Sequence, residues 1–236
     1  MVLGPCEGIF CLYWEPTRRG YAERLPTLLL WNPATRAFSI LPKSTFDFPP
    51  YKKVSDCMVG FGFDLTTKSI KVVKVVSFCR DEYAPNVYIN CAEVYELGSG
   101  SCRVLCMDDI LQKIHVLNRF SLYDTNDGVI HWCSALLGAR DHWRNDSVEL
   151  VLSFDMSSEL FHMTMMPEKY NNAYSTMHLV VQECYPLLLR DSFAVELWVM
   201  KKDFDRVVEA GTPPSYSWSH ELTEELFCAY GVIFVS

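Results

Sequence analysis

No stretch of the 236-residue chain stays apolar and uncharged for the ~18–20 positions that a membrane-crossing helix needs. The longest candidate, Leu226 to Val235, is too short. The opening Met-Val-Leu-Gly-Pro-Cys-Glu has no basic leader followed by an apolar run, so no signal peptide is expected. Cys-x-x-Cys is also missing. The ten cysteines are strewn singly at 6, 11, 57, 79, 91, 102, 106, 133, 184 and 228. Bridge-dense scaffolds usually stay below ~80–100 residues because they lack a core, so free, mostly buried thiols are expected here. A soluble, cytoplasmic protein is the expectation. Lys and Arg are outnumbered 21 to 29, and the deficit is uneven. Residues 1–80 hold eleven basic and six acidic side chains; residues 81–236 hold ten and twenty-three. An acidic surface repels phosphate backbones, so no nucleic-acid partner is expected. It steers a basic protein inward, although the same charge also serves plain solubility.

Apolar residues make up half of the chain, aromatics 14% and charged residues 21%, which excludes a disordered chain and a coiled coil. A chain of this length buries roughly 70–75% of its unfolded surface. Twelve Pro, eleven Gly and abundant aromatics suit an all-β protein. Phe193, Val195, Leu197 and Val199 alternate onto one face of a strand. Val59, Phe61 and Phe63 alternate with Gly60 and Gly62, so one face carries bulk and the other admits a close neighbour. Ile70 to Phe78 is rich in β-branched residues, as in a strand buried on both faces. Further strand-like runs sit at Gly8–Tyr13, Thr27–Trp31, Val87–Leu97, Val129–Cys133, Val148–Phe154, Met177–Val181 and Pro186–Leu189.

Four segments share an eight-residue grammar: aromatic, Asn/Asp/Glu, two spacers, Ser/Thr, two spacers, then an apolar residue. They run from Trp31 to Phe38, Phe63 to Ile70, Tyr95 to Cys102 and Phe154 to Phe161, with a degenerate fifth at Trp198. The grammar is turn chemistry. Asn32, Asp64, Glu96 and Asp155 end strands and can accept backbone N–H bonds two or three residues on. The anchor aromatics step by 32, 32, 59 and 44 residues. Units of ~40–50 residues are what four-stranded propeller blades require; a sandwich of similar hairpins is the competing reading. Trp-Asp repeats and Gly-Gly doublets are absent. Loops are expected at 42–55, 80–86, 107–128 and 166–175. From Ser219 onward Leu222, Leu226, Ala229 and Tyr230 recur at helical spacing, which predicts a short C-terminal helix; Gly231 to Val235 could equally form an edge strand.

The wording of the repeats resembles a known family. Leu30-Trp-Asn-Pro-Ala-Thr-Arg36, Gly60-Phe-Gly-Phe-Asp64, Lys71-Val-Val73, Glu93-Val-Tyr-Glu-Leu97, Gly128-Val-Ile-His-Trp132, Leu152-Ser-Phe-Asp-Met156 and Glu196-Leu-Trp-Val-Met200 follow one another as in the associated domain of plant F-box proteins. Gly4-Pro-Cys-Glu-Gly8 and the Val-Tyr-Glu-Leu phrase look most like the S-locus F-box branch. The resemblance implies a partial, kelch-like or β-propeller-type domain of about four to five antiparallel blades over residues 1–218, with a divergent tail over 219–236. It also implies the substrate-recognition module of a Skp1–cullin–F-box ubiquitin ligase, binding a basic protein such as an S-RNase. No Leu-Pro-x-Asp-Leu opening of an F-box precedes residue 4, and the chain changes character after Ser217-Trp218. The expectation is therefore a module trimmed at both ends, with the Skp1-like adaptor and cullin engaged only by a longer form.

Cys102 and Cys106, followed by Asp108, Asp109 and His115, lack a second ligand pair, so no metal and no cofactor is expected. His220-Glu-Leu-Thr-Glu224 is only half of a zinc motif. His131 and Cys133 share a strand face, where an active thiol pair is the less favoured reading. Gly98-Ser-Gly-Ser101 reads as a turn and no nucleophile elbow occurs. A binding module rather than an enzyme is expected. The alternatives are a small propeller hydrolase using clustered carboxylates, or a truncated product without a partner. Asp81, Glu82, Tyr83, Asp108, Asp109, Tyr123, Asp124 and Asp127 are the candidate partner-binding residues, since Tyr centres with acidic rims suit a basic protein.

Overall fold

The computed structural model describes residues 2–14, 25–44, 53–79, 88–105, 110–115, 128–136, 149–167, 176–182, 185–191, 194–202 and 216–225. Among them sixteen strands, taken four at a time in chain order, build four antiparallel sheets. The first contains β1 (Val2–Cys6), β2 (Ile9–Trp14), β3 (Thr27–Asn32) and β4 (Ala37–Ile40). The second contains β5 (Lys53–Asp64), β6 (Ser69–Cys79), β7 (Tyr88–Glu96) and β8 (Cys102–Val104). A 3-10 turn over Leu111–Lys113 leads into the third, built from β9 (Ile114–His115), β10 (Val129–Leu136), β11 (Glu149–Asp155) and β12 (Phe161–Met165). The fourth contains β13 (Thr176–Gln182), β14 (Tyr185–Asp191), β15 (Ala194–Lys202) and β16 (Tyr216–Glu225). Each is a meander of consecutive strands, a blade, and the whole is a partial β-propeller-type arrangement.

A single blade has two faces to bury, and neighbouring blades bury them. Leu3, Cys11, Leu28 and Leu30 of blade 1 meet Phe61, Val72, Val76 and Phe78 of blade 2 in one core. Val73, Val75 and Val94 of blade 2 meet Ile130, Trp132, Leu152 and Phe154 of blade 3 in a second. Val151 and Met166 of blade 3 meet Met200 of blade 4 in a third, with Trp198, Tyr216 and Trp218 packed against it. Strand β6 thus feeds both of its faces into cores, which is why its β-branched run carries no simple alternation. The close neighbour admitted at Gly60 is Trp132: a Cβ at Gly60 would stand 2.5 Å from its Cζ2, and the indole Nε1 donates to Val59 O at 3.3 Å.

Three expectations are corrected. The C-terminal helix is absent across the described part of the tail, where β16 pairs with β15 from Tyr216↔Lys202 to Glu225↔Ala194 and runs through residue 219. Residues 107–128 are not all loop, because the 3-10 turn and β9 lie within them, and β5 begins at Lys53 inside the loop expected over 42–55. The anchor aromatics do not count blades one by one. Trp31, Tyr95, Phe154 and Trp198 lie on β3, β7, β11 and β15, the third strand of each blade, while Phe63 is an extra copy on the first strand of blade 2. Cys6, Cys11 and Cys57 are buried thiols outside any disulfide, and Cys91 and Cys102 are half-buried thiols of the same kind. Burial pushes the Cys11 thiol up to about 12, which leaves it inert.

Candidate functional site

The repeated turns have one geometry. Asn32 Oδ1 accepts from the Ala34 and Thr35 amides at 3.0 and 3.2 Å, Asp64 Oδ1 from Thr66 and Thr67 at 2.7 and 3.1 Å, and Asp155 Oδ1 from Ser157 and Ser158 at 2.7 and 3.0 Å. Four residues after each, Arg36, Lys68 and Glu159 take the left-handed conformation with φ 58°. Glu96 ends its strand with a backbone bond instead, accepting from the Ser99 amide at 3.0 Å, and glycine supplies the left-handed residue at the corresponding place (Gly100, φ 73°). A short acceptor closes each reversal and a residue with positive φ turns the chain into the next strand.

Two of these turns are tied together across the boundary between blades 2 and 3. Lys71 Nζ lies 2.6 Å from Asp64 Oδ2 and donates to Glu159 Oε1 at 2.9 Å and to Met156 O at 2.8 Å. Ser157 Oγ donates to Asp64 Oδ1 at 2.8 Å, and the Arg103 guanidinium grips both Glu159 oxygens at 2.7 and 2.6 Å. Burial would raise the Asp64 carboxyl, but its bonds from Lys71, Ser157 and Thr67 override that and hold it well below the usual carboxylate range. Glu159 is lowered in the same way: burial opposes, and Arg103 and Lys71 prevail. The latch is electrostatic and mostly buried, so it fixes how two blades meet rather than offering a reactive group.

A second polar row faces blade 4. His131, Ser153 and His162 are register partners across β10, β11 and β12. His131 Nδ1 lies 2.7 Å from Ser153 Oγ, its Nε2 is buried without a hydrogen-bond partner, and the Tyr216 ring meets it edge-on at 5.6 Å. Burial, helped by His162, pushes the His131 imidazole down to about 3, so it is neutral. The partner of His131 is thus a hydroxyl on the neighbouring strand. Among the described residues no cluster of three or more His, Cys, Asp or Glu side chains could hold a metal ion.

Asp81, Glu82, Tyr83, Asp108, Asp109, Tyr123, Asp124 and Asp127 lie outside the described residues. The strands that flank them are described. Cys79 and Tyr88, which bracket the first three, pair with each other at the end of blade 2 opposite the Asp64 turn. Gly128, next to Asp127, accepts from the Met156 amide at 2.9 Å and approaches Phe63 and Leu65, which puts it at the Asp64 end. Sequence reasoning missed Lys71, Lys74, Glu93 and Glu159. The available signal was a charged residue inside the β-branched run of β6, where every neighbour is apolar.

On the surface of blade 1 that is turned away from blade 2, side chains from all four strands form apolar rows. Phe10, Trp31 and Phe38 are register partners, as are Val2, Leu12, Leu29 and Ile40. Val2, Trp14, Trp31, Phe38 and Ile40 are all exposed, Trp14 by 72%. Among the described residues no helix is long and apolar enough to cross a membrane.

A family model described as the F-box associated beta propeller domain matches residues 2–231. The chain is similar to the F-box protein CPR1 of Arabidopsis thaliana, with 26% identity over 218 residues that cover 85% of this chain and 48% of that protein. An F-box/LRR-repeat/kelch-repeat protein of the same plant is 26% identical over 206 residues, covering 84% of this chain and 49% of the relative. A putative F-box protein, again from Arabidopsis thaliana, is 25% identical over 155 residues, 65% of this chain and 37% of its own length. The chain spans about half the length of the first two curated relatives it matches.

Proposed function

This chain belongs to the F-box associated β-propeller domain family, and we propose that it is the substrate-recognition domain of a Skp1–cullin–F-box ubiquitin ligase. The observation that supports this reading is the family match over residues 2–231 on a chain folded as consecutive four-stranded blades, whose loops are free to carry binding residues. The domain binds and does not catalyse. Ubiquitin transfer belongs to other subunits, engaged through a Skp1-like adaptor and a cullin by a longer form that carries the F-box.

The partner in this proposal is a basic protein of the S-RNase kind. Its support is the excess of twenty-three acidic over ten basic side chains in residues 81–236. Asp81, Glu82, Tyr83, Asp108, Asp109, Tyr123, Asp124 and Asp127 are the residues proposed to meet it, the tyrosines as anchors and the carboxylates as an acidic rim.

The test is association of the intact chain with a basic secreted ribonuclease at about 50 mM and about 500 mM salt. An electrostatically steered complex loses about tenfold or more in association rate at the higher salt. The pair Asp81→Asn and Glu82→Gln lowers it further at low salt. In the longer form, with adaptor and cullin present, the same ribonuclease is ubiquitinated. Absence of binding, or binding indifferent to salt, overturns the basic-partner reading, and a longer form unable to ubiquitinate any bound protein overturns the receptor role.

A further inference from the structure

Strand β6 carries one lysine towards each neighbouring blade, and the two are used differently. Lys71, facing blade 3, has its ammonium engaged by Asp64, Glu159 and Met156 O. Lys74 faces blade 1, in line with Val72, Val76 and Phe78, and is only 5% exposed. A lysine in an apolar row must be paired. Glu93, its register partner on β7, makes an ion pair with it, and Ser44 Oγ donates to Glu93 Oε2 at 2.8 Å. An ammonium has three N–H donors. Among the described residues Glu93 is the one partner of Lys74 Nζ, so two donors remain.

Those donors border open space. A cavity of about 630 Å³ lies between blades 1 and 2, lined by Leu28, Leu41 and Val72 on its apolar side and by Lys74, Glu93 and Ser44 on its polar side. Small-molecule sites have this size, ~300–1,000 Å³, and this make-up of apolar walls with a few convergent polar groups. We infer that the cavity between blades 1 and 2 binds a small, largely apolar, uncharged molecule carrying a carbonyl oxygen, which accepts a hydrogen bond from Lys74 Nζ. The ion pair sets the charge of the ligand. Glu93 repels a carboxylate and Lys74 repels an amine, while a pure hydrocarbon leaves the Lys74 donors unmet. The inference rests on this geometry alone and stands whether or not the chain is a ubiquitin-ligase receptor.

The experiment uses the intact chain and three probes of one shape: naphthalene-2-carboxamide, naphthalene-2-carboxylate and naphthalene, followed by ligand-detected NMR titration. The carboxamide binds about tenfold or more tightly than the other two, the preference expected of one hydrogen bond to a charged donor. Thr27, an exposed residue that also lines the cavity, is the place to block it: Thr27→Trp abolishes carboxamide binding. The double change Lys74→Met with Glu93→Leu keeps the volume apolar and erases the preference for the amide while naphthalene still binds. A melting curve confirms that each variant is folded, and Thr27→Trp carries the test if the double variant is not. Equal binding of the three probes, no binding up to their solubility, or carboxamide binding undiminished in Thr27→Trp overturns the inference.

Discussion

Asp64 and Asp155 occupy equivalent turns, each with one carboxylate oxygen bonded to two backbone amides. Asp64 alone also faces a buried lysine and accepts from Ser157 Oγ. Removing Asp155 as Asp155→Ala loses side-chain-to-backbone bonds at an exposed turn and costs about 0.5–2 kcal/mol, by analogy with helix caps. Asp64→Ala loses the same bonds and takes away a counter-charge of Lys71, so it costs about 3–5 kcal/mol. Asp64→Asn keeps the turn acceptor without the charge and falls between the two. Urea denaturation midpoints check the ordering, and equal losses for the two alanine variants would show that the bond between blades contributes nothing. The grammar of the repeat made the turn role of Asp64 and Asp155 readable from the chain alone. The second role of Asp64 was not, because Lys71 reaches it from the next strand and Ser157 from a turn of the neighbouring blade, positions that no local pattern links.

Strands β5 and β10 approach where blade 2 offers Gly60 and blade 3 offers Trp132. A methyl group at Gly60 would stand 2.5 Å from Trp132 Cζ2 and 2.8 Å from Ile130 Cδ1 and Val73 Cγ1. All three are buried side chains with little room to move. Gly60→Ala therefore overpacks the boundary and costs about 1–3 kcal/mol. Trp132→Phe removes the crowding ring and also the bond to Val59 O, so it destabilises by itself. In combination the two are less harmful than their sum, and a double-mutant cycle on thermal unfolding checks this coupling; additive losses would mean that the blades shift apart instead. The need for a close neighbour at Gly60 was legible in the alternation of Val59, Phe61 and Phe63 with glycine. The identity of that neighbour was not, since 72 residues separate it from Gly60. The tail misled for a different reason. Leu222 and Leu226, four apart, share a face in a helix and in a strand alike, so their spacing cannot choose between them. The choice is made by the hydrogen bonds of β16 to β15 and by Tyr216 and Trp218 packing against blade 3. Strand β1 went unread because Gly4 and Pro5 interrupt any apolar alternation there.

At the scale of the molecule, three cores in series join the four blades among the described residues, and at the last of these boundaries lie two imidazoles that burial holds below their ordinary range. Burial lowers His131, to about 3, and lowers His162 beside it; Tyr216 of blade 4 lies against both rings. Unfolding frees these imidazoles to titrate near 6.5. Below that pH the unfolded chain takes up protons that the folded chain refuses, so the stability they contribute is complete above ~6.5 and is lost as the pH falls, for His131 towards 3. The slope is at most about 1.4 kcal/mol per pH unit for each group. Asp64 and Glu159, whose carboxyls are lowered, act in the same direction but in another window: their contribution is present above the ordinary carboxylate range and declines below it. Between pH 6.5 and about 4.5 the contribution that declines is thus that of His131 and His162, before that of Asp64 and Glu159. His131→Gln keeps a polar group opposite Ser153 and removes one of the two imidazoles. Its unfolding free energy, measured by urea titration at half-unit steps of pH, should fall less steeply below pH 6.5 than that of the unaltered chain, with the two curves becoming parallel only below about pH 3. An unchanged slope would mean that His131 already carries a proton in the folded state, which its buried, unpartnered Nε2 does not allow.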